Sequence, residues 1–403
     1  MSAQSIVGTV RQRLAAMPER ATMTDGELRR LVETEVDRAI GSASTSEPDT
    51  RAALRKVVVD ELLGFGVLQD LLDDPTISEI MVNGFDEVWV ERGGVIERSD
   101  RAFESEDQLF VVIDRMVRSS GRRVDQSSPM VDARLPDGSR LNAILPPLAV
   151  DGPAVTVRKF TSSGLSTDDL VVSGTLSRDA ADFPARAVSE KLNILVSGGT
   201  GTGKTTVLNV LSSHIGHDER IVTIEDAVEL TLRLPNLVRL EARPGNSEGA
   251  GEVNVRDLVR NSLRMRPNRI IVGEVRAGET IDMLQAMNTG HEGSLSTVHA
   301  NSPRDALRRV ETMILLAGVD LPLRAVREQI ASAIDLVVHL ARDQQGRRHV
   351  TMITEVSGME GDVVSTADLF VRAHQGAGTD LPALVPTGLV SQRLDQRRMR
   401  TAA

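Results

Sequence analysis

The sequence predicts an α/β protein in which a parallel sheet with crossover helices follows a smaller α+β domain. Short apolar runs at 193–197, 220–225, 268–274 and 294–299 alternate with helical stretches, the pattern of parallel strands joined by helices. Earlier in the chain, paired strand patterns around tight turns dominate, which favours antiparallel hairpins. A glycine-rich turn joins the first apolar run to a helix that begins at Lys204.

Composition excludes several classes of protein. The 403 residues contain no cysteine, which removes disulfides, thiol catalysis and cysteine-ligated metal sites. A net charge of −10 and only 2% aromatic residues argue against a nucleic-acid coat or a protein that stacks single-stranded bases. No apolar run approaches the roughly 18 residues of a membrane span, and charges interrupt the N-terminus too early for a signal peptide. We therefore expect a cytoplasmic protein with no nucleic-acid partner.

The chain divides by pattern into four segments. They are a helical accessory segment (1–47), an α+β domain (48–164), an α/β domain (165–370) and a basic tail (371–403). In the first segment, Thr24 and Glu27 fit a capping box that opens a second helix, and the composition of 41–48 is typical of a linker. Two packed or loosely attached helices are favoured there over a docking arm for a partner.

The second segment predicts alternating helices and hairpins. In chain order these are a helix at 50–63, a strand at 77–84, a hairpin at 87–98, a helix at 105–119, a hairpin at 130–145 and a strand at 153–160.

The third segment carries helices between its strands and ends in an antiparallel extension. The helices are expected at 204–214, 255–265 and 278–289, and the extension at 335–342, 348–356 and 362–370. The tail at 371–403 has little periodicity and an excess of arginine. A disordered tail is favoured for it, and contact with a membrane or a partner stays open.

A complete phosphate-binding pattern, G-x4-G-K-[ST], runs from Gly198 to Thr205. It lies between a strand and a helix, which is the context that such a loop requires. Backbone N–H groups of the glycines form a nest for phosphates, and the start of the helix adds positive potential. Lys204 is expected to reach the β- and γ-phosphates, and Thr205 to hold Mg²⁺.

A carboxylate ends the third of these apolar runs. The run 268–274 finishes with Gly273-Glu274 at the carboxyl edge of the sheet, where ligands of open α/β folds bind. Glu274 is therefore the candidate to orient or deprotonate an attacking water, with an exposed strand-end glutamate as the alternative. Because glycine stands where an aspartate is usual, Thr205 and other carboxylates would have to hold the metal.

Two weaker motifs follow other strands. Glu225, Asp226 and Glu229 follow the run at 220–225 and suit a Mg²⁺–water shell, although a solvated acidic turn is equally compatible. His291 and His299 flank the run at 294–299 and could sense the γ-phosphate. Without further context, hydrogen-bonded core histidines are the favoured interpretation of both.

Taken in order, these motifs resemble those of the type II/IV secretion and pilus ATPase superfamily over about residues 50–370. In that family GGTGTGKTT (198–206) corresponds to the Walker A motif, IEDAVEL (224–230) to the Asp box, RIIVGEVR (269–276) to a Walker B motif in which Gly-Glu is the norm, and TGHEGSLSTVHANS (289–302) to the His box. The segments 62–84 and 127–147 resemble the N-terminal domains of the CpaF branch, the ATPases of Tad/Flp pili.

The resemblance implies a RecA-like C-terminal domain, a smaller N-terminal domain and a homohexameric ring that binds ATP and Mg²⁺ between the domains. It assigns catalysis to Glu274, Lys204, Glu225, Glu229 and His299, with Glu225 reaching the metal through water. N-terminal arginines are implied to contact the phosphates, with Arg134, Arg140 and Arg158 as the candidates. The ATP-binding set it implies is Gly198, Gly199, Thr200, Gly201, Thr202, Gly203, Lys204, Thr205, Thr206 and His291.

The expected function is a motor that couples ATP hydrolysis to Tad/Flp pilus assembly or to protein secretion across the inner membrane. Such a motor would lie at the inner face of the membrane and dock on a platform protein. The family's tetracysteine zinc insert is absent, which favours the CpaF or conjugation-type branches. A conjugation-type secretion ATPase is therefore the first alternative, and a nucleic-acid motor is a weaker one.

Overall fold

A computed structural model of the chain describes residues 3–18, 23, 25–41, 48–160, 164–243, 245, 251–343, 345–372 and 384–402. The chain forms two compact units, unit one (residues 1–161) and unit two (residues 162–403). Their division lies close to the predicted boundary at 164. The predicted cap Thr24, most of the predicted linker and part of the predicted tail lie outside the described residues.

Unit one is an α+β unit with an antiparallel sheet of strand order β3-β2-β1-β6-β5-β4. Its elements are α1 (Ala3–Ala15), α2 (Asp25–Gly41), α3 (Pro48–Leu62), a 3-10 turn (Gly66–Leu68), α4 (Gln69–Asp73), β1 (Ile77–Asn83), β2 (Val88–Arg92), β3 (Val95–Arg98), α5 (Glu106–Ser119), β4 (Met130–Arg134), β5 (Arg140–Ile144) and β6 (Ala154–Arg158).

The N-terminal helices pack against the first helix of the second predicted segment. Val10 of α1, Val36 of α2 and Val58 of α3 are fully buried in one cluster, with Ile6 and Val32 beside them. The apolar side chains recur at helical spacing, so that each helix turns one stripe toward the other two. The helices Ala3–Ala15 and Asp25–Gly41 are thus packed within unit one.

One face of the unit-one sheet carries its core. Ile80 of β1 and Val157 of β6 pair across the strands, and both belong to the cluster that contains Leu109, Ile113 and Met116 of α5. Side chains alternate between the faces of a strand, so the neighbours of these core residues lie on the opposite face.

Unit two contains a mixed sheet of strand order β15-β14-β13-β12-β7-β11-β10-β8-β9. Its elements are α6 (Thr167–Val172), α7 (Arg178–Ser189), β7 (Ile194–Gly198), α8 (Lys204–Ser212), β8 (Ile221–Glu225), β9 (Leu237–Glu241), α9 (Val255–Ser262), β10 (Arg269–Val275), α10 (Glu279–Asn288), β11 (Leu295–His299), α11 (Pro303–Leu316), α12 (Leu323–Ala333), β12 (Leu336–Arg342), β13 (Arg348–Glu360), β14 (Val363–Arg372), β15 (Leu384–Pro386) and α13 (Gln392–Ala402).

The sheet of unit two is parallel from β12 to β9 and antiparallel from β12 to β15, which confirms the predicted α/β class. Helices cover both faces of it. Ile194 and Val196 pack with α7 and α8, whereas Leu195 between them packs with α9 to α12. This arrangement buries β7 on both faces and brings the carboxyl ends of β7, β8, β10 and β11 to one edge. In the described part of the chain, no helix is long and apolar enough to cross a membrane.

The prediction of a disordered tail is wrong for residues 384–402. They form β15, which pairs with β14, and α13. The helix has little apolar periodicity because Leu394 is its principal buried apolar side chain. Polar contacts with residues far away in the sequence hold it instead, and such contacts leave no periodic signal.

Two buried carboxylates anchor α13. The Glu355 carboxylate accepts hydrogen bonds from the backbone N–H groups of Gln392 (3.1 Å) and Arg393 (3.2 Å), which caps the helix N-terminus. Asp335 lies 3.5 Å from a guanidinium nitrogen of Arg393 and 3.5 Å from one of Arg397. Burial raises the pKa of Asp335, and the two arginines oppose that shift.

We expect the Arg393→Ala/Arg397→Ala double substitution to destabilise unit two by about 3–5 kcal/mol, because it leaves the buried Asp335 charge without those cations. In an Asp335→Asn background the same double substitution should lower the free energy of unfolding by clearly less. Urea unfolding of these variants, combined in a double-mutant cycle, measures the difference. Arg398→Ala, an exposed arginine on the same helix, is the control. Equal costs with and without the Asp335 charge would contradict this explanation.

Candidate functional site

The predicted phosphate loop joins β7 to α8 at the carboxyl edge of the unit-two sheet. Gly201 (φ 67°) and Gly203 (φ 93°) adopt left-handed backbone conformations that other residues rarely reach. The Thr202 hydroxyl donates to the Gly199 carbonyl (2.9 Å) and closes the loop on itself. Lys204 Nζ donates to the carbonyls of Gly198 (3.1 Å) and Gly199 (2.9 Å), so its charge lies over the loop.

Glu274 lies at the same edge, at the end of β10. Its Oε1 is 4.0 Å from Lys204 Nζ, and its Oε2 accepts a hydrogen bond from Arg276 Nε (2.7 Å). Arg276 also lies 3.3 Å from Asp226 in the loop after β8. The structure therefore brings the predicted carboxylate to the predicted lysine and fixes it from the other side with an arginine.

The close approach of Glu225 explains why position 273 is a glycine. A Cβ built on Gly273 would lie 2.8 Å from Glu225 Cγ, so a side chain there would collide with the glutamate. Glu225 is 4% exposed, and its Oε1 accepts from the backbone N–H groups of Glu229 (2.9 Å) and Leu230 (3.0 Å). Glu225 thus shapes the acidic loop, and its Oε2 has no hydrogen-bond partner within the described residues.

The acidic loop meets the phosphate loop through Thr205. The Thr205 hydroxyl donates to Glu229 Oε2 (3.3 Å), which places a carboxylate beside the hydroxyl that was predicted to hold Mg²⁺. An ammonium, a hydroxyl, loop N–H groups and nearby carboxylates are a donor set that fits a nucleotide with Mg²⁺. Thr205 would hold the ion, with Glu229 and the buried Oε2 of Glu225 as the nearby carboxylate oxygens.

The two histidines lie at opposite edges of the sheet. His299 ends β11 and pairs in register with Gly198, next to the phosphate loop. His291 precedes β11, and its Nδ1 is 3.0 Å from the carbonyl oxygen of Pro267, which precedes β10. Because these strands run parallel, His291 lies at their amino ends, away from the loop. Its predicted place in the phosphate site of its own unit is wrong.

The three predicted arginines form one row on unit one. Arg134 of β4 is opposite Arg140 of β5, which is opposite Arg158 of β6, so all three lie on the sheet face away from the core. Glu79 of β1 continues the row opposite Arg158, and burial raises its pKa while Arg158 opposes that shift. Like charges side by side repel, and an anion over this row would relieve the repulsion.

Glu225 should make the stability of the chain depend on pH. Burial raises its pKa from 4.5 to about 7, so the folded chain binds this proton more tightly than the unfolded chain. The resulting stabilisation is present below the unfolded pKa and is lost as the pH rises through the folded pKa. Glu225→Gln should therefore gain stability over wild type between about pH 5 and about pH 8, by at most about 3 kcal/mol.

Urea unfolding without nucleotide at both pH values measures this gain, with the exposed Glu252→Gln as the control. A difference between Glu225→Gln and wild type that did not change with pH would contradict the role of burial.

Sequence reasoning missed two arginines of the site. Arg276 stands two residues after Glu274, so both side chains point to the same side of the strand end. This spacing could have predicted that Arg276 lies beside Glu274. Arg342 ends β12 and donates from Nε to the Gly201 carbonyl (2.9 Å). A contact between residues this far apart in sequence has no local pattern to reveal it.

The chain is similar in sequence to known proteins over most of its length. Residues 61–375 match the family model described as type II/IV secretion system protein. A relative from Mycobacterium tuberculosis is 40% identical over 335 residues, which cover 82% of this chain and 94% of that protein. The conjugal transfer protein TrbB of Rhizobium radiobacter is 35% identical over 296 residues, 72% of this chain and 86% of TrbB.

Solved structures share the fold. The ATPase DotB of Yersinia pseudotuberculosis superposes with a TM-score of 0.53 at 15% identity, covering 79% of this chain and 81% of DotB. The pilus retraction motor PilT with bound ADP gives a TM-score of 0.51 at 18% identity, covering 82% of this chain and 85% of PilT. The predicted RecA-like P-loop fold is confirmed.

Proposed function

The chain belongs to the family of type II/IV secretion system proteins, and on that premise we propose that it is an ATPase that drives a secretion or pilus machine. The observation that carries the proposal is the short distance between the ends of the P-loop lysine and the strand-end glutamate, 4.0 Å between Lys204 Nζ and Glu274 Oε1. A cation for the phosphates and a carboxylate for water then meet at one point of the sheet edge.

Several groups of this chain have separate roles in ATP hydrolysis. The N–H groups of the loop and the start of α8 bind the phosphate oxygens, and Lys204 neutralises charge that grows as the terminal phosphate leaves. Glu274 accepts the proton of the attacking water on its carboxylate, and Arg276 holds that carboxylate in place. Mg²⁺, when bound with the nucleotide at Thr205, supplies further positive charge to the phosphates.

The machine that the motor serves is proposed from two kinds of similarity. The segments 62–84 and 127–147 resemble the CpaF branch and support Tad/Flp pilus assembly. The name of TrbB supports the second candidate, a conjugation-type secretion ATPase. In both cases the motor is a homohexamer bound peripherally at the inner face of the membrane to a platform protein.

The two candidates differ in phenotype. Replacing the chromosomal gene by a Lys204→Ala allele in the source organism should abolish surface pili if the motor builds pili, and transfer of DNA to recipients if it serves conjugation. Re-expression of wild type should restore the lost activity. A strain that keeps both activities would contradict the proposed role in either machine.

The arginine row gives a test of the ring. If Arg140 and Arg158 contact the terminal phosphate, as the family resemblance implies, their guanidinium groups stabilise charge in the transition state. We expect Arg140→Ala and Arg158→Ala each to lower turnover more than about tenfold while the ring still assembles. In GTPases, arginines of this kind raise kcat by a factor of roughly 10³–10⁵. Steady-state ATPase assays and size-exclusion chromatography measure both quantities.

Arg98→Ala, an exposed arginine on β3 of the same sheet, is the matched control. Mixing Arg158→Ala with Lys204→Ala subunits then asks whether the arginine acts on a neighbouring subunit, in which case mixed rings regain activity. Wild-type turnover in both single variants would remove these arginines from the site.

A further inference from the structure

We propose that Arg342 is a positioning residue of the nucleotide site that holds the phosphate loop in its anion-binding conformation. This inference rests on the proposed ATPase function and adds to it a residue from β12, outside the four sequence motifs. β12 lies beside β7, with Leu340 paired in register with Gly198 at the start of the loop. Arg342, two residues further along, therefore reaches the middle of the loop.

The contact is made to the main chain of the loop. Arg342 Nε donates to the Gly201 carbonyl oxygen at 2.9 Å. A Cβ built on Gly201 would lie 2.6 Å from Nη2 and 3.1 Å from Cζ of Arg342, so the guanidinium rests directly against the glycine. Position 201 thus needs glycine for two reasons, its left-handed φ of 67° and the approach of Arg342.

The bond fixes the direction of a donor that the phosphates need. In a planar trans peptide the C=O and the N–H point in opposite directions. The Gly201 carbonyl faces Arg342, so the N–H of Thr202 in the same peptide points away from Arg342, toward the other side of the loop. Loops that bind phosphate work by turning successive N–H groups inward, and a carbonyl that flipped inward would repel the anion.

The guanidinium is carried by an anchored hairpin. Asp343 accepts from the backbone N–H groups of Gln345 (2.9 Å) and Arg347 (2.8 Å), and also from Arg347 Nε (2.8 Å). His349 Nε2 lies 3.0 Å from the same carboxylate, and its Nδ1 lies 3.1 Å from the Gly174 carbonyl. Burial opposes ionisation of Asp343, but these hydrogen bonds prevail and lower its pKa to about 2. Asp343, the residue that follows Arg342, is therefore held by Gln345, Arg347 and His349.

The position of β12 predicts which part of the nucleotide depends on this contact. Glu274 is on β10, which lies on the β11 side of β7, whereas β12 lies on the other side. The terminal phosphate is assigned to the end with Lys204 and Glu274, so Arg342 supports the loop away from the bond that breaks. Its loss should weaken ATP and ADP binding to the same degree and leave the chemical step nearly unchanged.

The test compares Arg342→Ala and Arg342→Lys with wild type in the full chain. Titration calorimetry gives the Kd of ATP and of ADP, using Glu274→Gln rings for ATP, and steady-state assays give kcat and KM. We expect Arg342→Ala to raise both Kd values and KM roughly tenfold or more, with kcat within about threefold, and Arg342→Lys to recover part of the loss. Arg324→Ala, whose arginine pairs with Glu328 and Asp362, should change none of these values.

Thermal unfolding shows whether each variant is folded. If Arg342→Ala is unfolded, the Kd, KM and kcat values of Arg342→Lys and Arg342→Gln are compared with wild type instead. Unchanged Kd values in folded variants, or a loss confined to kcat, would overturn the positioning role and leave the proposed function intact. A wild-type chain that bound neither nucleotide would refute both.

Discussion

Lys204→Ala should abolish ATP hydrolysis and weaken ATP binding, because the phosphate loop loses the ammonium that lies over it. The replacement is expected to leave the fold intact, because Lys204 is not part of the apolar core and contacts polar groups, namely the carbonyls of Gly198 and Gly199 and the carboxylate of Glu274. We expect turnover to fall to the background of the assay and the Kd for ATP to rise. Steady-state phosphate release and calorimetry measure the two effects.

Lys56→Ala is the control for the loss of a lysine, since Lys56 pairs with carboxylates on the surface of unit one. Thermal unfolding of both variants excludes a general loss of structure. Lys204→Ala turnover within a few-fold of wild type would refute the assignment of the phosphate loop.

Glu274→Gln should bind ATP and fail to hydrolyse it. The amide keeps the shape of the carboxylate and a hydrogen-bond acceptor for Arg276, but it does not accept the proton of the attacking water. A general base contributes about 10²–10⁴-fold in rate, so we expect kcat to fall by that order while the Kd for ATP changes little. Rapid-quench measurement of the chemical step, beside ATP titration, separates the two quantities.

Glu252→Gln, an exposed glutamate of the same unit, controls for the change of charge. If Glu274→Gln hydrolysed ATP at the wild-type rate, the catalytic carboxylate would have to be sought at Glu229, which contacts Thr205, or at Glu225.

Local patterns predicted the features that depend on neighbouring residues. The strand, glycine turn and helix around Lys204 are contiguous, and the position of Glu274 at a strand end follows from the apolar run before it. The hairpins of unit one also agree with their turn residues, as at Asp137-Gly138 between β4 and β5. In each case one short stretch of sequence carries the whole signal.

Contacts between distant residues explain what the sequence left open. The helix α13 depends on Asp335 and Glu355, which precede it by tens of residues and give the tail no apolar stripe. The place of His291 follows from the direction of β11, since a residue before a parallel strand lies at the edge opposite the phosphate loop. The contact of Arg342 with Gly201 requires β12 to lie next to β7, which only the strand order reveals.

The fate of the terminal phosphate tests the central claim most directly. Wild-type protein and Glu274→Gln are each incubated with Mg²⁺ and with a smaller amount of ATP that is labelled at the γ-phosphate. The label is then followed through a single turnover. An ATPase with Glu274 as its base predicts that wild type releases the label as inorganic phosphate and that Glu274→Gln retains it as ATP. Label on another acceptor, or ATP left unchanged by the wild-type chain, would contradict it.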